Sequence, residues 1–282
     1  IIIAVPLIIE KIIRKKVFPK IQNNRMRLLM AMPVISKKVK QMICQEVVKA
    51  FGGELYEVII GGAAFNREIE TFLRKIEFPY TVGYGATECA PIICYRDWQT
   101  FRLGSCGQPV VHMEVKIDSD SPSTKPGEIL ARGLNVMLGY YKNDEATKET
   151  IDKDGWYHTG DLGTMDDDKN VFINGRSKNM LLGPSGQNIY PEEIEDKFNS
   201  MAMVVETVVV QRNNKLVGLV YPDYDEAKNM NFNEEDIYNV MEQNRQQLNE
   251  LLPAYEKITE IEIQKEEFEK TPKKSIKRYL YK

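Results

Sequence analysis

The chain has 282 residues, of which 28% are charged and 43% hydrophobic, and its formal net charge is -3. The composition is that of an ordinary globular protein, and the length suits one large core or two domains. The small negative charge gives no reason to expect nucleic acid as a partner. Four cysteines without paired spacing and only two histidines argue against a zinc site and favour a reducing, cytoplasmic compartment.

The N-terminal segment is apolar and then basic. The opening run IIIAVPLII is too short to span a bilayer and lacks the basic region of a signal peptide, so we interpret it as a buried element and the chain as part of a longer protein. From residue 9 to residue 49 the pattern is helical, with apolar Val39, Ile43 and Val47 at helical spacing before Gly52 and Gly53. The lysines there indicate a solvated helix face or, alternatively, peripheral membrane contact.

Residues 55–88 predict a βαβ unit with two glycine-rich loops. A strand at residues 55–60 precedes GGAA, a helix at 66–76 follows, and a strand at 80–82 precedes GYGATE. Both loops would lie at the carboxyl ends of parallel strands, the edge where open α/β sheets bind ligands. Thr87 offers a hydroxyl there, and Glu88 offers a carboxylate that suits Mg²⁺ beside a phosphate. Each loop taken singly is better explained as a tight turn, but two such loops in register favour a ligand site.

Residues 101–141 have an all-β pattern and predict a small β-barrel or sandwich, in which GEILARG has a packing role. The segment that follows reads DGWYHTGDLGTMDDDKNVFINGRSK. Asp161 stands between Gly160 and Gly163, and its two oxygens suit a pair of ribose hydroxyls. Arg176 offers a planar donor fork for a ribose or phosphate oxygen. The alternative is a turn aspartate and a surface arginine on a β-meander.

From about residue 179 the pattern predicts a separate α+β unit. It contains a helix beginning at Pro191, a hairpin around Asn213 and Asn214, a helix at 234–252 and a strand at 258–263. The tail carries six basic residues from Lys270 onward and no acid. It is either a solvated tail or the carrier of a lysine that reaches the substrates.

The motifs, in chain order, are GGAA, GYGATE, GEILARG, WYHTGD, GRSKNMLLGPSGQNIYPEEIE and KTPKKSIKR. The series resembles the adenylate-forming superfamily of acyl-CoA synthetases, adenylation domains and luciferases, over about residues 55–282. VPLIIEKI, FGGEL and GYGATECAP most resemble long-chain fatty acid–CoA ligases. The resemblance implies an α/β fold: a large AMP-binding domain to residue 177 (a βαβ subdomain to about 100, then a small β-barrel), and a small α+β lid domain at 178–282.

The resemblance also implies residue roles. Asp161, assisted by Arg176, would bind the ribose hydroxyls; Thr87 would contact phosphate, and Glu88 would hold Mg²⁺. Lys178 would be the hinge. The adenine would be lined by Gly62, Ala63, Ala64, Gly83, Tyr84 and Gly85, and the coenzyme A tunnel by Gly183, Ser185 and Gly186.

The implied reaction uses ATP, Mg²⁺, coenzyme A and a carboxylic acid, most simply a fatty acid. The carboxylate attacks the α-phosphate of ATP, pyrophosphate leaves, and a thiol then displaces AMP. Two departures stand out: the family's TSGTTGxPKG phosphate loop is missing, so we expect the chain alone to be inactive, and KTPKKSIKR set against KTxxGKIxR puts Ser275 at the reactive lysine's position. Lys274 is the predicted catalytic lysine. The rivals are an adenylation domain that loads a carrier protein and a non-catalytic nucleotide-binding relative.

Overall fold

The computed structural model describes residues 1–18, 37–271 and 275–281. It divides into two compact units, Ile1–Ile173 and Asn174–Lys282. The division falls after residue 173, whereas the sequence prediction put it after residue 177. Within the described residues, no helix has the length and apolar character needed to cross a membrane.

The first unit begins with strand β1 (Ile2–Ala4) and helix α1 (Pro6–Ile12), which continues as a π-helical turn over Ile13–Val17. Pro6 occupies the first turn of α1, where its missing N–H costs no hydrogen bond. Helix α2 (Lys37–Ala50) buries Ile43 and Val47, two of the positions that predicted its apolar face. The helical pattern predicted for residues 9–49 is therefore found at both ends, and residues 19–36 lie outside the described part.

A parallel sheet follows, with strand β2 (Val58–Ile60), helix α3 (Arg67–Lys75) and strand β3 (Tyr80–Val82). Its order is β1-β2-β3, with Ala4, Ile60 and Val82 in register at the carboxyl ends. The Asn66 side chain caps α3 by accepting a bond from the Ile69 N–H. The βαβ unit is confirmed, although β2 begins three residues later than the strand predicted from residue 55.

The rest of the first unit is mainly antiparallel. Its elements are β4 (Tyr84–Gly85), β5 (Ile92–Tyr95), β6 (Gln108–Pro109), β7 (Met113–Asp118), β8 (Gly127–Gly133), helix α4 (Asp144–Thr150), β9 (Tyr157–Met165) and the first half of β10 (Val171–Arg176), whose last three residues belong to the second unit. One sheet has the order β4-β5-β6 and the other β10-β9-β8-β7. Cys94 of the first sheet and Ile129 of the second belong to the same buried cluster, so the two sheets share one core. Helix α4 was not predicted.

The second unit contains the hairpin strands β11 (Leu181–Leu182) and β12 (Asn188–Ile189), helix α5 (Pro191–Asn199), β13 (Val204–Arg212), β14 (Lys215–Pro222), helices α6 (Tyr224–Asn229) and α7 (Glu234–Leu251), and β15 (Ile258–Ile263). Strand β14 pairs antiparallel with β13 and parallel with β15. Asn213 and Asn214 both adopt positive φ, the turn geometry that matches the twist of a hairpin, which confirms the predicted hairpin. A capping box at Asn233 begins α7.

Candidate functional site

The two glycine loops lie side by side at the carboxyl edge of the parallel sheet. The Gly61 N–H donates to the Ala4 carbonyl (3.1 Å), and the Gly83 N–H donates to the Ile60 carbonyl (2.8 Å), so the ladder continues past the strand ends. A Cβ on Gly61 would lie 3.2 Å from the Gly83 carbonyl oxygen. After Gly61, the residues Gly62, Ala63 and Ala64 are exposed. The edge therefore offers accessible backbone with little side chain, as a flat ligand requires.

The second loop is packed too closely to carry larger residues. A Cβ on Gly85 would lie 1.9 Å from the Pro91 carbonyl oxygen, so only glycine fits. Tyr84 beside it is only 8% exposed, and its hydroxyl donates to Asp161 Oδ2 at 2.7 Å. Burial, and then the negative charge of Asp161, raise the pKa of Tyr84 far above its ordinary value. Tyr84 thus offers little of its ring face, and its hydroxyl is a neutral donor to the carboxylate.

Glu88 lies in a 3₁₀ turn (Thr87–Cys89) that is held by residues 135–140. Its main-chain carbonyl accepts from the Met137 N–H (2.7 Å), and its Oε1 accepts from the Tyr140 hydroxyl (2.9 Å). The Asn135 amide donates to the Cys89 carbonyl at 2.6 Å. These contacts fix the position of the carboxylate. Tyr140 and Asn135 were not predicted, because no local signal links them to a turn about fifty residues earlier.

The surroundings of Glu88 fit a magnesium ion that takes its remaining ligands from water and a substrate. Within the described ranges, no group of three or more histidine, cysteine, aspartate or glutamate side chains could hold a metal. Mg²⁺ needs no such group, because it commonly takes one or two carboxylates together with water and substrate phosphates. Glu88 in a fixed turn, beside the hydroxyl-bearing Thr87, is a donor set of that kind.

Asp161 lies in a bulge of strand β9. The register pairs Glu128 with Leu162 and Leu130 with His158, so β9 advances four residues while β8 advances two. Thr159, Gly160 and Asp161 therefore stand opposite Ile129 alone. Gly160 has φ +69°, in the left-handed region that glycine adopts without strain. Bulges re-aim side chains next to binding sites, and here the re-aimed side chain is that of the predicted ribose ligand.

Two side chains, one from each strand, attach this bulge to strand β8. The Glu128 carboxylate accepts from the Gly160 N–H (2.9 Å, Oε1) and lies 3.0 Å from His158 Nδ1 (Oε2). The Thr159 hydroxyl donates to the Ile129 carbonyl (2.7 Å) and accepts from the Asp161 N–H (3.0 Å). Asp161 is thus tied to β8 through its backbone and to the glycine loop through Tyr84.

In the second unit, the predicted hinge is an exposed 3₁₀ turn. Arg176 ends β10, and Lys178 lies within Ser177–Asn179; both side chains are exposed. The Asn174 amide donates to Glu193 (2.5 Å) and the Asn179 amide to Glu192 (2.6 Å), and both glutamates belong to the first turn of α5. The turn is thereby attached on both sides to one helix.

The predicted coenzyme A loop is the turn between β11 and β12. The Gly183 N–H donates to the Gln187 carbonyl (2.7 Å), and the Gly186 N–H donates to the Gly183 carbonyl (2.9 Å). The Gln187 side chain accepts from the Ser185 N–H at 3.2 Å. Gly183 is buried, whereas Ser185 and Gly186 are exposed at the tip.

Lys274 lies outside the described residues. The residues on either side of this gap pair with each other. The Thr271 N–H donates to the Ser275 carbonyl (2.8 Å), and Lys270 and Ile276 form an antiparallel β-bridge. Ser275 is exposed.

The C-terminal segment (275–281) packs against the second unit. Arg278 Nη1 lies 2.6 Å from both oxygens of the buried Glu195, and Nη2 donates to the Val209 carbonyl at 3.0 Å. Lys270 pairs with Glu206 at 2.8 Å. The alternative of a wholly solvated tail is therefore wrong, because two of its basic side chains are largely buried and paired.

Comparison with known proteins agrees with this architecture. The profile of the AMP-binding enzyme family matches residues 1–141, and that of the AMP-binding enzyme C-terminal domain matches residues 179–281. The chain is 34% identical over 186 residues to a 2-succinylbenzoate–CoA ligase of Bacillus cytotoxicus, 37% over 174 to 4-coumarate–CoA ligase 5 of Oryza sativa, and 44% over 133 to a long-chain-fatty-acid–CoA ligase of Escherichia coli. These alignments cover 62%, 57% and 45% of this chain but only 38%, 32% and 23% of the relatives.

The fold also matches solved structures. The o-succinylbenzoate coenzyme A synthetase of Bacillus subtilis, solved in complex with AMP, superimposes with a TM-score of 0.70 at 20% identity, over 99% of this chain and 50% of that one. The chain thus spans about half of that structure, and at such low identity the likeness concerns the fold alone. Together with the two family profiles, it shows an adenylate-forming fold, and this chain belongs to the AMP-binding enzyme family.

Proposed function

We propose that this chain supplies the nucleotide-handling part of an ATP-dependent acid–CoA ligase whose acid is a long-chain fatty acid. The observation that carries the proposal is the bond between Tyr84 and Asp161, which ties a re-aimed carboxylate to the glycine loop at the sheet edge. The same unit thus presents small residues for a flat base and a carboxylate with two acceptor oxygens for a ribose. The AMP named for the solved relative fits that combination.

The roles follow the chemistry of each group. Asp161 accepts the ribose hydroxyls, and residues of the two glycine loops line the adenine, namely Gly62, Ala63, Ala64, Gly83 and Gly85, with Tyr84 at the back. Thr87 contacts the α-phosphate. Glu88 would hold Mg²⁺, which would neutralise phosphate charge so that an anionic carboxylate could approach.

The second unit supplies the mobile groups. Residues 1–177 form the large domain in this proposal and 178–282 the lid, which turns at Lys178 between the two half-reactions. Lys274 neutralises the reacting carboxylate and α-phosphate, and Arg176 assists at the ribose. Gly183, Ser185 and Gly186 line the path of the coenzyme A thiol, which attacks the acyl-adenylate and displaces AMP.

The choice of acid rests on one alignment. The relative with the highest of the three identities, 44%, is a long-chain-fatty-acid–CoA ligase, but its alignment covers 45% of this chain, whereas that of the succinylbenzoate ligase covers 62%. For the compartment, we propose a reducing, cytoplasmic one, which the free thiols of all four cysteines suit.

The test is acid-dependent ATP–pyrophosphate exchange in the longest natural protein that contains this chain. The acids are palmitate, 2-succinylbenzoate and 4-coumarate, and the 282-residue chain is assayed in parallel. We expect palmitate-dependent exchange that requires Mg²⁺ and is lost in Asp161→Ala. Exchange with another acid would correct the substrate; exchange with a free acid but transfer only to a carrier protein would favour the carrier-loading rival.

A non-catalytic nucleotide-binding protein is the second candidate. Ser275 at the position of the family's reactive lysine favours it. Its signature would be AMP binding that depends on Asp161 with no exchange for any acid.

A further inference from the structure

Asp161 is re-aimed by a bulge whose shape is set from the neighbouring strand. Of the three bulged residues, Gly160 bonds to a β8 side chain and Thr159 to a β8 carbonyl. Glu128 is the only side chain among these partners on β8. Its side chain is about a quarter exposed (28%), and its carboxylate also contacts His158, the residue at which the regular ladder resumes. The Glu128 carboxylate thus contacts both His158, at the end of the bulge, and Gly160, the bulge glycine with positive φ.

We propose that Glu128, with His158, is a positioning residue that orients Asp161 and thereby sets the preference of the site for a ribose over a sugar without vicinal hydroxyls. The inference rests on the proposed function, because it takes Asp161 as the ribose ligand. Glu128 touches no ligand in this scheme. Its Oε1 accepts a hydrogen bond from the Gly160 N–H. The next peptide bond, which is planar and rigid, joins Gly160 to Asp161.

The conformational freedom of Gly160 explains why this anchor is needed. The bulge contains glycine, which has the largest conformational freedom of any residue, at the position next to Asp161. An unanchored glycine would let the carboxylate sample several directions, and each would weaken the pair of bonds to neighbouring hydroxyls. His158 fixes Glu128 in turn, and Asp152 lies on the other side of the imidazole, with its Oδ2 3.7 Å from Nε2.

The test compares Glu128→Ala and Glu128→Gln with Glu114→Ala as matched control. Glu114 is a glutamate of β7 in the same sheet, where it pairs with Arg132 at 2.8 Å, away from the bulge. Calorimetry measures the binding of AMP and of 2′,3′-dideoxy-AMP to the 282-residue chain. We expect E128A to weaken AMP binding about tenfold and to leave dideoxy-AMP binding unchanged. The reason is that a misdirected Asp161 carboxylate loses about one hydrogen bond to the ribose hydroxyls, which dideoxy-AMP lacks. E128Q restores most of the preference, since its amide oxygen still accepts from Gly160.

Hydrogen exchange of residues 157–163 without ligand provides an independent reading. We expect faster exchange at the Gly160 amide in E128A than in wild type or E114A. An unchanged AMP preference or an unchanged Gly160 exchange rate in E128A overturns the inference. If the wild-type chain itself does not distinguish AMP from dideoxy-AMP, the ribose role of Asp161 in the proposed function fails, and the exchange rate alone then decides whether Glu128 anchors the bulge.

Discussion

The Tyr84 hydroxyl donates a hydrogen bond to Asp161 in the candidate site. It keeps its proton at any working pH, because burial and the charge of Asp161 both oppose ionisation. The sequence placed both residues at the nucleotide, but it could not show that they bond to each other, since they are 77 residues apart and the bond depends on how two sheets pack. The roles assigned to both residues stay predictions.

Tyr84→Phe should lower AMP affinity five- to tenfold, which is about 1 kcal/mol for a lost hydrogen bond, and should lower stability by a similar amount. Calorimetry and chemical denaturation measure the two effects.

The control is Tyr95→Phe, which removes a similar bond to the buried Glu57 (2.9 Å) in the same unit. Burial raises the pKa of Tyr95 to about 12, so it too is a neutral donor. An equal loss of AMP affinity in both variants would contradict the role of Tyr84.

At the scale of elements, features that depend on neighbouring residues can be predicted from the sequence, whereas features that depend on the pairing of distant strands cannot. Strand β15 runs from Ile258 to Ile263, as its alternating pattern predicts, and Asn66 begins a helix as an N-cap should. Helix α4 carried the same kind of signal, Asn143 followed by two acids, and was overlooked. The bulge of β9 carried none, because a register shift is a property of two strands and not of one sequence.

The C-terminal segment should depend on Arg278. Arg278→Ala is expected to destabilise the second unit by about 3 kcal/mol at pH 8, because it removes one partner of a buried ion pair. Hydrogen exchange of residues 275–281 should accelerate. Lys277→Ala is the neighbouring control: its pair with Glu269 (3.1 Å) is more exposed than the Arg278–Glu195 pair, and loss of an exposed pair has little effect on stability. Equal exchange rates in the two variants would show that Arg278 is not the anchor.

Glu195 should make the stability of the second unit depend on pH. Burial raises its pKa to about 7, although Arg278 acts in the opposite direction. The folded state therefore retains a proton that the unfolded state releases above an ordinary glutamate pKa. The contribution of Glu195 to the free energy of unfolding is complete below the ordinary value, about 4.5, and is lost as the pH rises through about 7.

Denaturation curves of wild type and Glu195→Gln across this range measure the effect. The stability of wild type relative to the variant should fall by about 3 kcal/mol, at 1.36 kcal/mol for each pKa unit. Parallel curves for the two proteins would mean that Glu195 is ionised throughout.

At the scale of the whole molecule, each unit closes its own apolar core. The first unit buries two clusters, one around Ile69 and Tyr80 and one around Cys94 and Ile129. The second packs helices α5 and α7 on its sheet around Phe198 and related residues. The sequence predicted two domains from the change of pattern, but the position of the division between the two units depends on contacts such as Asn174 to Glu193, which no local pattern reveals.

We therefore expect residues 174–282 to fold alone and the full chain to unfold in two steps. Both tryptophans, Trp98 and Trp156, belong to the first unit, so their fluorescence reports that unit only, whereas far-ultraviolet circular dichroism reports both. The two signals should give different thermal midpoints. The step that only circular dichroism reports should match the midpoint of the isolated 174–282 fragment. Coincident transitions together with an unfolded fragment would contradict this.

The bulge of β9 has a consequence for protein engineering. Thr159 is held by the Ile129 carbonyl and Gly160 by the Glu128 carboxylate, so the geometry around Asp161 is encoded on two strands separated by more than twenty residues. Grafting WYHTGD alone into another sheet would transfer the aspartate without the shape that aims it. The smallest transplantable module is the β8–β9 pair with its register, and a designer would have to copy the mismatch between the strands as faithfully as the motif.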